Sequence, residues 1–216
     1  MRRSEKHFSQ KQAVNSDYAK SSYHRGHLYP FDFNECSQKA SCTLTNAIPM
    51  IGNDNQLWFH NAEYYIKKLA DKCNNNSREM YVVTGSANYT GGKMKNRVVV
   101  PGLIWSAACC TSSGMPGMLS STPVTPVNTK VDFSVAYMKE LLSGKKGTRI
   151  SVRQLQRTLN VRIFNQCRGT NQTDEAENDR VVIALLEELR NAGSKRKRPS
   201  QQINQQRVFP RKSNSK

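Results

Sequence analysis

Between Trp58 and Lys72 the apolar residues Trp58, Ala62, Tyr65, Ile66 and Leu69 recur at helical spacing, and several short β-prone runs follow. One strong amphipathic helix feeding a set of strands restricts the chain to a mixed architecture. The helix carries a basic outer face of Lys67, Lys68 and Lys72, and Asn74-Asn75-Asn76-Ser77 ends it. Tyr81–Gly85, Arg97–Pro101 and Leu103–Ala108 read as strands, and Val131–Tyr137 alternates like another. Cys42–Thr45 has the β-branched alternation of a short strand. Ser151–Leu159 reads as a helix capped by Ser151, and Asp179–Arg190 as a helix with Val181, Val182, Leu185, Leu186 and Leu189 on one side. Residues 111–129, rich in Ser, Thr, Pro, Gly and Met, read as a surface loop or internal linker.

These runs set the expected organisation: an unstructured lead over 1–17, one domain over 18–190, and a basic tail without fixed structure over 191–216. Charge then limits the partners. Lys plus Arg number 33 against 16 Asp plus Glu, a net +17, well beyond what solubility needs. Such a surface concentrates polyanions, whether nucleic acid, heparin-like glycans or anionic membranes. Lys195–Arg198 fits a phosphate-binding arm, a nuclear import signal or a solvated tail. No stretch reaches the length of a membrane span, so a spanning segment is not expected.

The six cysteines at 36, 42, 73, 109, 110 and 167 contain no Cys-x-x-Cys pair, which argues against a zinc ribbon or a thioredoxin-type site. Their even number fits a disulfide framework, and adjacent Cys109 and Cys110 should seek separate partners. Sequons at Asn75, Asn88 and Asn171 add mild weight to a secretory location. Residues 1–18 lack the apolar core of a signal peptide, which points the other way, to a nuclear or cytoplasmic protein or an N-terminally truncated chain.

The chemistry concentrates in Tyr23-His-Arg-Gly-His-Leu-Tyr-Pro30, Thr45-Asn-Ala-Ile-Pro49, Asn55-Gln-Leu-Trp58 and Glu63. Phosphodiester hydrolysis needs a base to deprotonate water and positive charge for the phosphorane and leaving oxygens. A neutral His serves as base near pH 7. Oxygen ligands such as an Asn carboxamide suit Mg²⁺, which keeps several waters, and a Glu can orient those waters. Taken singly, each residue has a plainer reading: His27 as a loop histidine, Asn46 and Asn55 as turn formers. Trp58, Tyr65 and Trp105 read as core, and His7 and His60 have no supporting constellation.

Arg25-Gly26-His27 in its Tyr-x-Arg-Gly-His-Leu setting, then Asn46-x-x-Pro49, Asn55, Trp58 and Glu63, resembles the DNA/RNA non-specific endonuclease family. Phe31–Pro49, Val82–Gly85, Val100–Trp105 and Phe133–Tyr137 look more like its endonuclease domain-containing 1-like branch. The resemblance spans about residues 18–190 and implies an α+β fold of the ββα-metal (His-Me finger) type, with a central antiparallel-rich sheet. It implies His27 as general base, Asn55 as the direct Mg²⁺ ligand (Mn²⁺ as a substitute), Glu63 holding metal-bound waters and Asn46 supporting the site. It also implies that Arg25 adds positive potential near the scissile phosphate, with Lys67 and Lys68 as further phosphate contacts. The implied substrate is DNA and/or RNA held by its backbone, and the implied location is extracellular.

Three departures stand out. His24 occupies the place of the Asp that usually opens the family motif. Spacing from Pro49 and to Glu63 selects Asn55, whereas spacing from Trp58 selects Asp54 as the metal ligand. Only 22 residues precede Tyr23, too few for the family's upstream strands and their Arg. These departures keep open a rival class, a catalytically impaired binder of nucleic acid or other polyanions.

Overall fold

A computed structural model of the chain describes residues 12–33, 38–74, 78–89, 92–112, 132–165 and 167–195. A helical turn α1 (Asn15–Tyr18) leads into β1 (Tyr23–His27), and a second turn, α2 (Gln38–Ser41), precedes β2 (Ala47–Ile51). Helix α3 (Gly52–Trp58) then runs through a π-helical turn, Phe59–Glu63, into α4 (Tyr64–Asn74). The strands β3 (Glu79–Ala87), β4 (Lys93–Met94), β5 (Val98–Val99), β6 (Leu103–Thr111), β7 (Phe133–Glu140) and β8 (Thr148–Ile150) follow, with helices α5 (Val152–Leu159) and α6 (Glu175–Lys195) last.

Antiparallel pairing joins β3-β6-β7-β8 into the central sheet, while β1 and β2 form a separate hairpin. The hairpin and the long helix after it make a ββα unit, as the sequence leads one to expect.

Alternation along β6 explains how the sheet is covered. Successive side chains point to opposite faces. Ile104, Ala108 and Cys110 pack with Phe133, Val135 and Tyr137 against Trp58, Ile66 and Leu69 of the long helix and Val182 and Leu186 of α6. Ala107, Cys109 and Ala136 face the other way, onto Val152, Leu155, Ile163 and Phe164. Adjacent Cys109 and Cys110 therefore do take separate partners: Cys110 bridges to Cys73 on α4, and Cys109 to Cys167 beneath the opposite face. Each bridge closes a loop of tens of residues and contributes about 2–4 kcal/mol. Gly85 sits opposite Trp105 on the paired strand, and a Cβ there would fall 2.4 Å from the indole ring. Bare backbone at that position lets the ring lie across the sheet.

Several boundaries depart from expectation. Cys42–Thr45 is no strand. The Asn46 N–H bonds Thr43 O and residues Leu44–Asn46 make a 3₁₀ turn, a local ladder that outcompetes β pairing. Only Val98–Val99 of the expected 97–101 strand pairs, because the Arg97 N–H closes a turn onto Met94 O while its guanidinium grips Asp17 at 2.5 Å. That grip orders α1, inside the segment expected to be an unstructured lead. Helix α6 runs to Lys195, five residues into the expected tail. Ser151 caps α5 as read, accepting from the Gln154 N–H. Most of the 111–129 loop, the sequons at Asn75 and Asn88 in whole or part, and Arg196–Arg198 lie outside the described residues. Among the described residues no helix is long and apolar enough to cross a membrane.

Candidate active site

Strand β1 places His27 at its end, opposite Ala47 of β2. Gly26 leaves room for this hairpin to pack, since a Cβ there would fall 2.2 Å from Met50 Sδ. The loop after His27 is latched by Asn46. Its Oδ1 accepts from the Tyr29 N–H at 2.8 Å, and its Nδ2 donates to Tyr29 O and Ser41 O at 2.9 and 3.0 Å. A backbone bond from the Leu28 N–H to Asn46 O completes the latch. Asn46 thus touches the loop that follows His27.

His27 lines one pocket of about 270 Å³ together with Asn55, Glu63, Phe31, Asp32, Gln56, Phe59 and His60. The three residues that the resemblance implies as base, ligand and water-orienting acid therefore converge from the hairpin, α3 and the π turn. His27 is half-buried, stands edge-on to Phe31 at 6.3 Å and has Cys42 Sγ 3.8 Å from its Nε2. Loss of hydration holds its pKa below the ordinary 6.5, so the neutral imidazole dominates near pH 7.

Glu63 is pushed the opposite way. Burial, reinforced by the negative charge of Asp32, raises its carboxyl from the ordinary 4.5 to about 8, with the nearby Trp58 indole N–H pulling the other way. A carboxyl kept protonated at pH 7 beside a second acid marks a place where a cation would restore balance. A divalent cation fits this donor set. Asn55, Glu63 and Asp32 offer hard oxygens, and the pocket has room for a hydrated ion. Among the described residues no group of three or more His, Cys, Asp and Glu forms a metal cage.

Cation binding should therefore be proton-linked. Below pH 8 the affinity for Mg²⁺ or Mn²⁺ is expected to fall about tenfold per pH unit, with close to one proton released per cation at pH 7. Calorimetry in two buffers of different ionisation enthalpy reads the proton directly. A flat pH dependence, or an undiminished proton release in Glu63→Gln, would remove Glu63 from the cation's surroundings. In the cation-free protein the sign is destabilising. Between 4.5 and about 8 the unfolded chain has already lost the Glu63 proton while the folded one retains it, so stability falls as pH rises through that window.

Asp54, the alternative metal ligand, is placed elsewhere. Its carboxylate is fully buried, pairs with Lys139 Nζ at 2.9 Å and accepts from the Leu142 N–H at 2.7 Å. It faces β7 rather than the pocket.

Arg25 is not among the pocket residues. Its Nη2 donates to Asn15 Oδ1 at 3.2 Å, and its guanidinium stacks on Tyr18 at 4.9 Å. It fastens α1 to the hairpin instead of facing the site. His24, where the family motif has Asp, lies against Gly52 at the start of α3. Lys67 follows Glu63 by four residues on the same helix. Lys68 is turned toward Asp71 and the Tyr64 ring.

Phe31, Asp32, Gln56, Phe59 and His60 were not anticipated in the pocket. For Gln56, Phe59 and His60 a signal existed: counted back from Glu63 they fall at steps of seven, four and three, the spacing of one helical face. Phe31 and Asp32 arrive through the loop after Pro30, which no periodicity announces.

A β-hairpin and helix that bring a histidine, an asparagine and a glutamate to one pocket define a ββα-metal architecture of the nuclease type. The fold is similar to that of the solved EndoG/EndoGI complex, with a TM-score of 0.51 at 17% identity, over 75% of this chain and 66% of that one. The chain belongs to the DNA/RNA non-specific endonuclease family, whose sequence profile matches residues 3–169. It is 37% identical to the human Endonuclease domain-containing 1 protein over 105 residues, which is 48% of this chain and 21% of that protein. The mouse protein of the same name is 34% identical over 104 residues, again 21% of its length. A Nostoc protein named Nuclease is 28% identical over 147 residues, 65% of this chain and 50% of that one. The chain thus spans about a fifth of the mammalian relatives and half of the cyanobacterial one.

Proposed function

We propose that this chain is a divalent-cation-dependent, sequence-nonspecific nuclease that hydrolyses phosphodiester bonds of DNA and/or RNA. The observation that carries the reading is the convergence of His27, Asn55 and Glu63 in one pocket of a chain with a net charge of +17. His27, neutral at pH 7, accepts a proton from the attacking water. Asn55 supplies a side-chain oxygen to Mg²⁺ or Mn²⁺, and Glu63 orients that ion's waters. When bound, the ion supplies positive charge for the phosphate in the transition state. Asn46 holds the His27 loop. Lys67 and Lys68 contribute phosphate contacts, which makes binding salt-dependent and indifferent to sequence. The two disulfides favour an oxidising, extracellular setting over a nuclear or cytoplasmic one.

The engagement of Arg25 with Asn15 and Tyr18, away from the pocket, favours the rival reading of a non-catalytic polyanion binder. A plasmid-nicking assay separates the two. Nicking with Mg²⁺ or Mn²⁺ that EDTA stops is expected. Tight, salt-sensitive DNA and RNA binding without product at any concentration of either ion would establish the rival, and cleavage that survives EDTA would exclude the cation role of Asn55.

A further inference from the structure

The pocket holds two features that hydrolysis does not use. Phe31 and Phe59 are 41% and 39% exposed, although both side chains are large and apolar. They line the same pocket as His27. Each ring stands edge-on to a histidine: Phe31 to His27 at 6.3 Å, and Phe59 to His60 at 5.1 Å. Exposed aromatic rings beside the candidate site, on a strongly cationic chain, supply the two components of a single-strand binding surface. Cationic groups track the backbone and aromatic rings stack on unpaired bases. A duplex cannot use such rings, because its bases already stack on each other. Stacking tolerates any sequence, since every base has a π-face, which agrees with a nonspecific site.

We propose that Phe31 and Phe59 are a base-stacking platform that makes single-stranded or locally unpaired nucleic acid the preferred substrate. This rests on the nuclease reading for its position but not for its test. In the presence of EDTA, where no cleavage interferes, a fluorescent single-stranded oligonucleotide and its duplex are titrated at matched ionic strength. Phe31→Ala and Phe59→Ala are each expected to weaken single-strand binding about tenfold more than duplex binding. Phe59→Tyr, which keeps a ring, should restore the difference, whereas Phe59→Leu should not. Where the parent cleaves, the ratio of single-strand to duplex kcat/KM should fall by the same factor. Parallel losses on both substrates, or full rescue by Leu, would overturn the platform. Absence of cleavage in the parent would count against the nuclease reading alone, because the binding ratios are obtained regardless.

Discussion

His27→Ala is expected to lower phosphodiester cleavage by about 10²–10⁴-fold, the range that a positioned general base contributes, while duplex affinity stays within a factor of about two. Affinity for a polyanion comes from many cationic groups, and removing one neutral imidazole does not alter them. The substitution should also be tolerated structurally. The histidine is only half-buried, and its loop is latched by the Asn46 carboxamide rather than by the imidazole. The pH profile supplies a second signature. Loss of hydration already holds the His27 pKa below 6.5, and a neighbouring cation displaces it further down. The acid limb of kcat/KM assigned to this group should therefore lie below 6.5, and exogenous imidazole should recover part of the activity of the alanine variant. Parent-level nicking by purified His27→Ala would end its assignment as the base.

The second large effect concerns stability. Asp54→Ala should destabilise the fold by about 3–5 kcal/mol, the usual cost of stranding one member of a buried ion pair. Lys139 is itself fully buried. The change would leave its ammonium with the carbonyl of Lys145 but without a counter-charge, and would also deprive the Leu142 N–H of its acceptor. For a domain of this size that corresponds to a fall in Tm of about 10 °C. The double variant Asp54→Leu with Lys139→Met removes both charges together and should recover most of the loss, because the desolvation cost disappears with the attraction. Urea denaturation of the three proteins decides the matter, and a single variant within 1 kcal/mol of the parent would show that the pair is not coupled to the fold as its burial implies. The effect should reach the candidate site too. Asp54 is the immediate chain neighbour of Asn55 on α3, so loss of its anchors to Lys139 and Leu142 loosens that helix.

These two residues also show what could be read from the string and what could not. His27, Asn55 and Glu63 were named through the family resemblance, and the hairpin and helix that carry them bring all three to one pocket. Counts from different landmarks of the motif left Asp54 and Asn55 competing for one place. Asp54 is drawn away from the pocket by Lys139, a residue on a distant strand that local spacing cannot couple to it. The strand at Leu103–Ala108 was legible because burial on both faces yields a near-continuous apolar run, and Tyr81–Gly85, partly buried beside it, through its β-prone Tyr-Val-Val-Thr. Cys42–Thr45 misled because threonines that alternate also serve turns, and the turn here is fixed by Asn46 bonding across to Ser41 and Tyr29. Arg25 was read as part of the motif, but its partners Asn15 and Tyr18 come from a segment whose polar composition gave no sign of order.

The separate destinations of Cys109 and Cys110 carry a consequence for how the protein meets reductants. Cys73 and Cys110 are each 1% exposed, so a thiolate can reach that bridge only when the helix lifts from the sheet. The other bridge ends at Cys167, which is only partly covered. Electrons therefore enter from the α5 side first, and the layer over the candidate catalytic pocket is the last to be unfastened.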